Sequence, residues 1–172
     1  YVRTTGDLAI LDERVTYLDA PPLPPDQHEV YGAPAVAAED GTLFEHCVRA
    51  ITRGATSGMH GLPLIGSCDW NDGMNRVGPE GRGESTWLGF FLHTVLCNFA
   101  VVCDATHDAD RARQYRAHAR QLSAALDQAW DGAGYRRGYY DDGSPLGAAV
   151  NVECRIDSIA QSWAVLSEAV PA

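Results

Sequence analysis

The sequence is short of basic side chains. Its 172 residues contain 13 Lys and Arg against 23 Asp and Glu, which gives a formal net charge of −10. A nucleic-acid surface needs clustered Lys and Arg, so this balance argues against a nucleic-acid partner. Apolar residues make up 45% and charged residues 21%, which is typical of a globular chain, and the length suits one domain.

Long apolar runs and targeting signals are also missing. No apolar run reaches the length that spans a bilayer, so we expect no direct membrane contact in this segment. The first ten residues have neither the charged start nor the apolar core of a signal peptide. Because the sequence lacks an initiator Met and opens inside an apparent helix, we expect an internal part of a longer chain, which could itself be membrane-anchored.

Paired cysteines and metal-binding spacings are absent as well. The cysteines are odd in number, scattered and without a CxxC pair: Cys47, Cys68, Cys97, Cys103 and Cys154. This pattern is typical of thiols in a reducing compartment and predicts a cytoplasmic location. The six histidines lack zinc-type spacing. A calcium-loop match at Asp69, Asn71 and Glu80 fails because Gly73 and Met74 stand where an oxygen ligand and a glycine are needed. We therefore expect no metal and no other cofactor.

Helical periodicity dominates what is present. Apolar residues three and four apart, with capping residues at the starts, predict five helices: residues 7–18, 42–58, 84–104, 108–131 and 157–170. The helix over 84–104 is apolar on every side and is predicted to be buried all round. Proline-rich residues 20–34 are predicted to form an extended connector, and residues 135–147 either a short hairpin or an irregular loop. Paired helices with long loops on one side predict an all-α fold of the α/α toroid type.

One stretch departs from this pattern. Residues 61–84 (GLPLIGSCDWNDGMNRVGPEGRGE), here called the DWND loop, contain six glycines and two prolines and have no helical or strand periodicity. A loop this long inside a compact domain is usually functional or disordered. Its apolar side chains, among them Trp70, argue against disorder, so we predict a catalytic or binding loop. At least one of Gly61, Gly66 and Gly73 should have a positive φ.

Glycosyl transfer is the chemistry that best fits this loop. The sequence has no GxSxG nucleophile motif and no phosphate-loop Lys. Trp70, Asn71 and Asp72 supply an aromatic platform for a sugar face, an amide for hydroxyl groups and a carboxyl group for proton transfer. We expect Asp72 to face a concave space rather than bulk solvent. The alternative is that Asp69 and Asp72 form Asx-turns that shape the loop, and this alternative weighs more heavily for Asp69.

Several segments resemble the cellobiose phosphorylase family of inverting glycoside phosphorylases, glycoside hydrolase family 94. The matching segments, in family order, are TLFEHC, GLPLIG, DWNDGMNRVG, GRGESTWLGFFL, YYDDGSPLG and ECRIDSIAQSWAVLS. They cover nearly the whole chain. Their wording is most similar to the C-terminal phosphorylase-like domain of cyclic β-1,2-glucan synthases.

The resemblance implies a fold and an activity. The family fold is an (α/α)6 barrel, of which residues 1–172 would be the central part. The family's general acid corresponds to Asp72, and Trp70 would contact the sugar beside the scissile bond. Family enzymes cleave a β-glucoside or β-glucan with inorganic phosphate as co-substrate and release α-glucose 1-phosphate. Other family site residues would lie before Tyr1 and after Ala172, so we expect the isolated chain to be inactive.

Further residues are candidates for contact with substrate. Asn71 is expected to bind the sugar, while Arg82 and Glu84 would either organise the phosphate side or hold the loop. A second group is predicted to line the site, with helix capping as the alternative: Glu153, Arg155, Asp157 and Gln161.

Two rival functions stay open. An inverting glycosidase on the same scaffold would use water and a second carboxylate, about 6.5–9.5 Å from the acid, for which Glu84 or Glu153 could serve. A non-catalytic glycan-binding domain would keep the fold and lose the chemistry.

Overall fold

The computed structural model describes residues 1–22, 24, 27 and 30–170. Within these residues, helices are combined with two antiparallel sheets, so the fold is mixed α/β. The predicted all-α class, and with it the expected all-helical barrel, is therefore wrong. The chain divides into two compact units, residues 1–53 and 54–172.

The first unit is built around a pair of antiparallel strands. Its elements are α1 (Val2–Thr5), a 3-10 turn (Ala9–Asp12), β1 (Arg14–Asp19), β2 (Ala35–Thr42) and α2 (Leu43–Gly54). The helix predicted over residues 7–18 is wrong. Its apolar spacing fits a helix, but Val15, Thr16 and Tyr17 are β-branched or aromatic and favour a strand once a partner strand is present.

Helix α2 begins where the sequence predicts. The carboxylate of Glu45 accepts a hydrogen bond from the N–H of Thr42 at 2.7 Å, and the N–H of Glu45 donates to the Thr42 hydroxyl at 3.1 Å. This is the predicted capping box. The backbone hydrogen bond from Thr42 lowers the pKa of Glu45. The predicted connector over residues 20–34 falls partly outside the described residues.

The described part of the second unit, residues 54–170, contains three α-helices and a small sheet. Its elements are β3 (Glu84–Ser85), α3 (Thr86–Ala105), α4 (Ala109–Gln128), β4 (Gly138–Tyr139), β5 (Pro145–Leu146) and α5 (Ser158–Ser167). The strands are antiparallel in the order β3-β4-β5, and Leu64 adds a bridge to Glu84. Helix α3 packs against both α4 and α5. The hairpin predicted over residues 135–147 is confirmed.

Side-chain caps begin all three helices of this unit. Ser85, Asp108 and Asp157 each accept a hydrogen bond from a backbone N–H of the first helical turn, at 3.2, 3.1 and 2.9 Å respectively. The predicted starts of these helices are therefore confirmed.

Helix α3 is long and apolar enough to cross a membrane by length and composition alone. The expectation that no segment meets this criterion is therefore wrong. Core helices of soluble proteins have the same composition, and α3 packs on two other helices. Phe90 and Leu96 are fully buried, whereas Phe91 and Val101 are 41% and 63% exposed. The prediction of burial on every side is thus also wrong.

The core of the second unit includes the start of the DWND loop. Leu62 from the loop packs with Phe90 of α3, Leu126 of α4, Tyr139 of β4 and Ala164 of α5. Burying apolar surface contributes about 25 cal/mol per Å², so this contact ties the loop to the helices.

Two histidines on the packed helices predict an acid-sensitive fold. Burial lowers the pKa of His93 in α3 and of His118 in α4. In the unfolded chain both imidazoles have a pKa of about 6.5. Below that pH the unfolded chain therefore binds protons that the folded chain does not yet bind. We therefore expect the two histidines to cost no stability above about pH 6.5. Below it, the free energy of unfolding should fall as the pH drops through the lowered pKa values.

Chemical denaturation at about pH 7.5 and 5.5 tests this prediction. A His93→Gln/His118→Gln double variant serves as the comparison, because it keeps every carboxylate of the parent. The variant should lose less stability between the two pH values. Equal losses in parent and variant would contradict the assignment.

Candidate active site

The two ends of the DWND loop are joined at its base. The N–H of Ile65 donates to the carbonyl oxygen of Gly83 at 2.9 Å, beside the bridge to β3. Gly61 and Gly66 have φ angles of 78° and 59°, in the left-handed region. This confirms the prediction of a positive φ among the selected glycines.

A carboxylate from the β4–β5 hairpin holds the later part of the loop. Asp141 accepts hydrogen bonds from the backbone N–H groups of Glu80, Arg82 and Gly83 at 2.9, 2.8 and 2.9 Å. Burial by itself would raise the pKa of Asp141, but the three donors outweigh it and lower that pKa. The ionised carboxylate therefore fastens the loop to the hairpin.

The side chain of Glu84 holds the start of the loop. It is 1% exposed and accepts hydrogen bonds from the N–H groups of His60 and Leu62 at 3.0 Å, and from the His60 ring. The His60 ring stacks on Tyr139 with 3.7 Å between centroids. Of the two roles predicted for Glu84, the structure supports holding the loop.

Asp69 is the buried anchor of the DWND tetrad. One of its carboxylate oxygens accepts a hydrogen bond from the N–H of Asn71 at 3.1 Å, which forms the Asx-turn that the sequence offered as an alternative. The other oxygen accepts from the Ser85 hydroxyl at 2.7 Å and from Arg137 at 2.6 Å. The side chains of Asp69 and Arg137 are 0% and 2% exposed. Asp69 therefore has a buried ionic role that the sequence did not reveal.

The next residues turn back toward solvent. The side-chain oxygen of Asn71 accepts a hydrogen bond from the N–H of Gly73 at 3.0 Å and begins a 3-10 turn over Asp72–Met74. Asp72 is exposed, contrary to the expectation that it faces away from bulk solvent. Its carboxylate lies 4.0 Å from the sulfur of Cys68. The roles of Asn71 and Asp72 toward a sugar stay predictions.

Trp70 projects from the loop against an aromatic cluster. Its ring is 58% exposed and meets the ring of Trp87 edge-on, with 6.4 Å between centroids. Trp87 in turn stacks on Phe91 at 5.5 Å and meets Trp163 edge-on at 6.0 Å. Trp70 is thus supported by Trp87 of α3, while more than half of the residue's surface is exposed.

Arg82 lies at the edge of a cavity of about 240 Å³, which is also lined by His60, Tyr140 and Asp141. Its Nε donates to the carbonyl oxygen of Asp141 at 3.0 Å, and its Nη2 pairs with Glu80. The guanidinium is therefore oriented by the loop and the hairpin together.

The residues predicted to line the site from the other side are arranged differently from one another. Glu153 is exposed. Arg155 is also exposed, and its Nε donates to the carbonyl oxygen of Ala149 at 3.1 Å beside a cavity of about 260 Å³. Gln161 accepts from the N–H of Tyr135 at 2.8 Å and donates to its carbonyl oxygen at 2.7 Å. Contact of these three with a substrate stays a prediction, whereas capping by Asp157 is confirmed.

Sequence reasoning missed Arg137 and Asp141. Both lie in the segment YRRGYYDDG, and the sequence does not show which of the adjacent Arg136 and Arg137 points into the protein. Arg136 donates to the carbonyl oxygen of Gln128 at 3.0 Å, while Arg137 turns inward to the DWND loop. The sequence signal that could have revealed them is the group of charged residues beside the predicted hairpin. A charge that becomes buried there needs a partner elsewhere in the fold.

Comparison with known proteins agrees with these features. The family model described as "Glycosyl hydrolase 94 superfamily, catalytic domain" matches residues 1–172. The chain is 50% identical over 97% of its length to cyclic beta-(1,2)-glucan synthase NdvB of Rhizobium meliloti (strain 1021). It is 35% identical over 76% of its length to 3-O-beta-D-glucopyranosyl-beta-D-glucuronide phosphorylase, and 33% identical over 97% to solabiose phosphorylase, both of Paenibacillus borealis.

The aligned regions cover 6%, 17% and 20% of those three relatives, so each relative is a much longer protein. The family match covers every residue of this chain, including the whole DWND loop. The chain therefore belongs to the glycosyl hydrolase 94 superfamily, as the resemblance of its motifs predicted.

Proposed function

We propose that this chain carries part of the active site of an inverting glycoside phosphorylase, which cleaves a β-glucoside or β-glucan with inorganic phosphate and releases α-glucose 1-phosphate. One observation carries the proposal: buried partners fix the DWND loop at Asp69, while Trp70 and Asp72 are left accessible to a ligand. The relatives, two of them named as phosphorylases and one as a glucan synthase, support the class of substrate. The proposed reaction uses no cofactor.

Asp72 is the proposed general acid. Its proton passes to the glycosidic oxygen as the bond from that oxygen to the anomeric carbon breaks. A phosphate oxygen attacks the same carbon from the opposite face, which inverts its configuration. Asp72 is exposed and lies 4.0 Å from the Cys68 sulfur, so its carboxyl group is accessible to a glycosidic oxygen.

Trp70 and Arg82 are proposed to orient the two reactants. The exposed indole of Trp70 provides an apolar face for a sugar ring, and the edge contact with Trp87 limits its motion. The Arg82 guanidinium uses two of its donors on Asp141 and Glu80. A guanidinium has about five N–H donors, so others remain for an anion such as phosphate.

The rival glycosidase needs a second carboxylate that activates water. Glu84 is a poor candidate for this base, because it is buried and its oxygens accept hydrogen bonds from His60 and Leu62. Glu153 is exposed and is the remaining candidate among those that the sequence offered. The burial of Glu84 therefore argues against one of the two bases that a glycosidase could use.

Product analysis separates the candidate functions. The full-length protein that contains this chain is incubated with a β-linked glucose disaccharide or a β-glucan, with and without inorganic phosphate. We expect phosphate-dependent release of glucose 1-phosphate with the α configuration, observed by NMR. Release of glucose that does not depend on phosphate would identify a glycosidase. Saturable glycan binding without any product would identify a binding domain.

A further inference from the structure

Arg137 is a charged side chain that is almost completely buried beside the candidate site. It immediately precedes β4, and its guanidinium reaches three other parts of the second unit. Nη2 donates to Asp69 at 2.6 Å, Nη1 donates to the Ser85 hydroxyl at 3.1 Å, and Nε lies 3.5 Å from a carboxylate oxygen of Asp157. Arg137 thus joins the DWND loop to the capping residues of α3 and α5.

The contact with Asp69 is the shortest of the three. A distance of 2.6 Å is typical of a charge-assisted hydrogen bond, whereas 3.5 Å from Nε to Asp157 is an ionic contact without a good hydrogen bond. Because both Arg137 and Asp69 are almost completely buried, little water is present to replace either partner. The position of Asp69 is therefore set mainly by Arg137 and Ser85.

The carboxylate that binds Arg137 also shapes the backbone of the tetrad. Through its second oxygen, Asp69 forms the Asx-turn to Asn71 that carries Trp70. Asp72 follows at the start of the 3-10 turn. A shift of Asp69 would therefore move both the sugar platform and the acid, and a misplacement of about 1 Å can cost about 10²-fold in rate.

We propose that Arg137 is a positioning residue for the general acid. It fixes Asp69, and through Asp69 it sets where the Asp72 carboxyl group meets the glycosidic oxygen. This inference rests on the proposed function, since it assigns Arg137 a part in the reaction proposed there. It goes beyond a stabilising role because it predicts which substrates suffer most when the Arg137–Asp69 contact is altered.

The test uses the full-length protein and a series of β-glucosides that differ in leaving group. Arg137→Lys keeps the charge but loses the planar fork that reaches Asp69 and Ser85 together. A sugar or alkyl leaving group needs a proton as it departs, and a dinitrophenolate needs almost none. We expect kcat to fall about 10²-fold for the former and less than about threefold for the latter, while any change in KM caused by a shifted Trp70 should be equal for the two classes.

Asp157→Asn is the matched control. It contacts the Nε of the same guanidinium, and Asn can still cap α5, yet among the described residues no hydrogen bond or ion pair joins it to the DWND loop. Its rates should fall little, and equally for all leaving groups. If Arg137→Lys does not fold, Asp69→Asn replaces it, because this variant keeps the Asx-turn and weakens the same contact. It should show the same dependence on leaving group, with smaller losses.

Hydrogen exchange gives a second readout that does not depend on activity. The N–H groups of Asn71 and Gly73 should exchange at least about tenfold faster in Arg137→Lys than in the parent protein. Their exchange rates should be unchanged in Asp157→Asn. Equal loss of rate for every leaving group, or unchanged exchange at these amides, would overturn the positioning role. If the parent releases glucose without phosphate, the proposed function fails, but the same series still tests Arg137 through hydrolysis rates. If the parent is inactive on all substrates, the exchange rates alone decide.

Discussion

Asp72→Asn in the full-length protein is expected to slow phosphorolysis of a β-linked disaccharide by about 10²–10⁴-fold, the usual contribution of a general acid. The amide keeps the shape of the side chain but does not deliver a proton to the departing sugar. Substrate affinity should change little, because Trp70 and the hydrogen bonds of the loop remain. Initial rates measured over a range of substrate and phosphate concentrations separate kcat from KM.

Asp69→Asn is the comparison for this experiment. The sequence alone suggested a mild effect, since Asp69 was assigned mainly to the shape of the loop. The buried contact with Arg137 now predicts a measurable loss of both stability and rate, though a smaller loss of rate than for Asp72→Asn. Near-normal activity of Asp72→Asn together with abolished activity of Asp69→Asn would place the proton on Asp69. Full activity of both variants would show that the DWND loop is not the catalytic centre.

Glu84→Leu is expected to lower the free energy that holds the start of the loop closed by about 3–5 kcal/mol. The substitution leaves the N–H groups of His60 and Leu62 without their acceptor, and each buried unsatisfied donor costs about 1–3 kcal/mol. Hydrogen exchange of residues 58–64 reports this free energy directly in the full-length protein.

Glu80→Leu is the matched control for this prediction. Glu80 lies in the same loop and pairs with Arg82, but its side chain is 65% exposed. An exposed ion pair contributes at most about 1 kcal/mol, so Glu80→Leu should leave the exchange of residues 58–64 nearly unchanged. Comparable effects of the two substitutions would show that Glu84 is not the fastener of the loop.

Local signals in the sequence were enough to place the helices of the second unit. Ser85, Asp108 and Asp157 are good capping residues followed by apolar spacing, and each does begin a helix. Capping depends on residues within one turn of each other, so a single sequence contains the necessary information. The capping box of α2 was predictable for the same reason.

Pairings over long distances in the sequence could not be predicted in the same way. Strand β1 pairs with β2, where Arg14 lies opposite Thr42, and no local pattern marks that partner. The apolar spacing within the range 7–18 fits a helix. Strand β1 forms there instead because its partner strand supplies its hydrogen bonds. The all-α prediction failed at this point.

In the candidate site, too, local features were predictable from the sequence and long-range contacts were not. The tetrad was found from its residue types, because an indole, an amide and a carboxyl group close together have an obvious chemistry. Arg137 and Asp141 were missed, since their partners lie 68 and 58 residues away in the sequence. The sequence thus indicated which residues are proposed to contact a ligand, but not which residues hold them in place.

These long separations also govern the order in which the chain acquires its structure. Helices α3 and α4 are neighbours in sequence and can pair early, whereas the contacts of Arg137 and Asp141 must close segments of 68 and 58 residues. During synthesis the tetrad leaves the ribosome long before the residues that fix it. We therefore expect pulse-labelled amides of α3 and α4 to be protected before those of Asn71 and Gly83, and simultaneous protection would contradict this order. The residues that would carry the chemistry are among the first of this unit to be made and the last to be set in place.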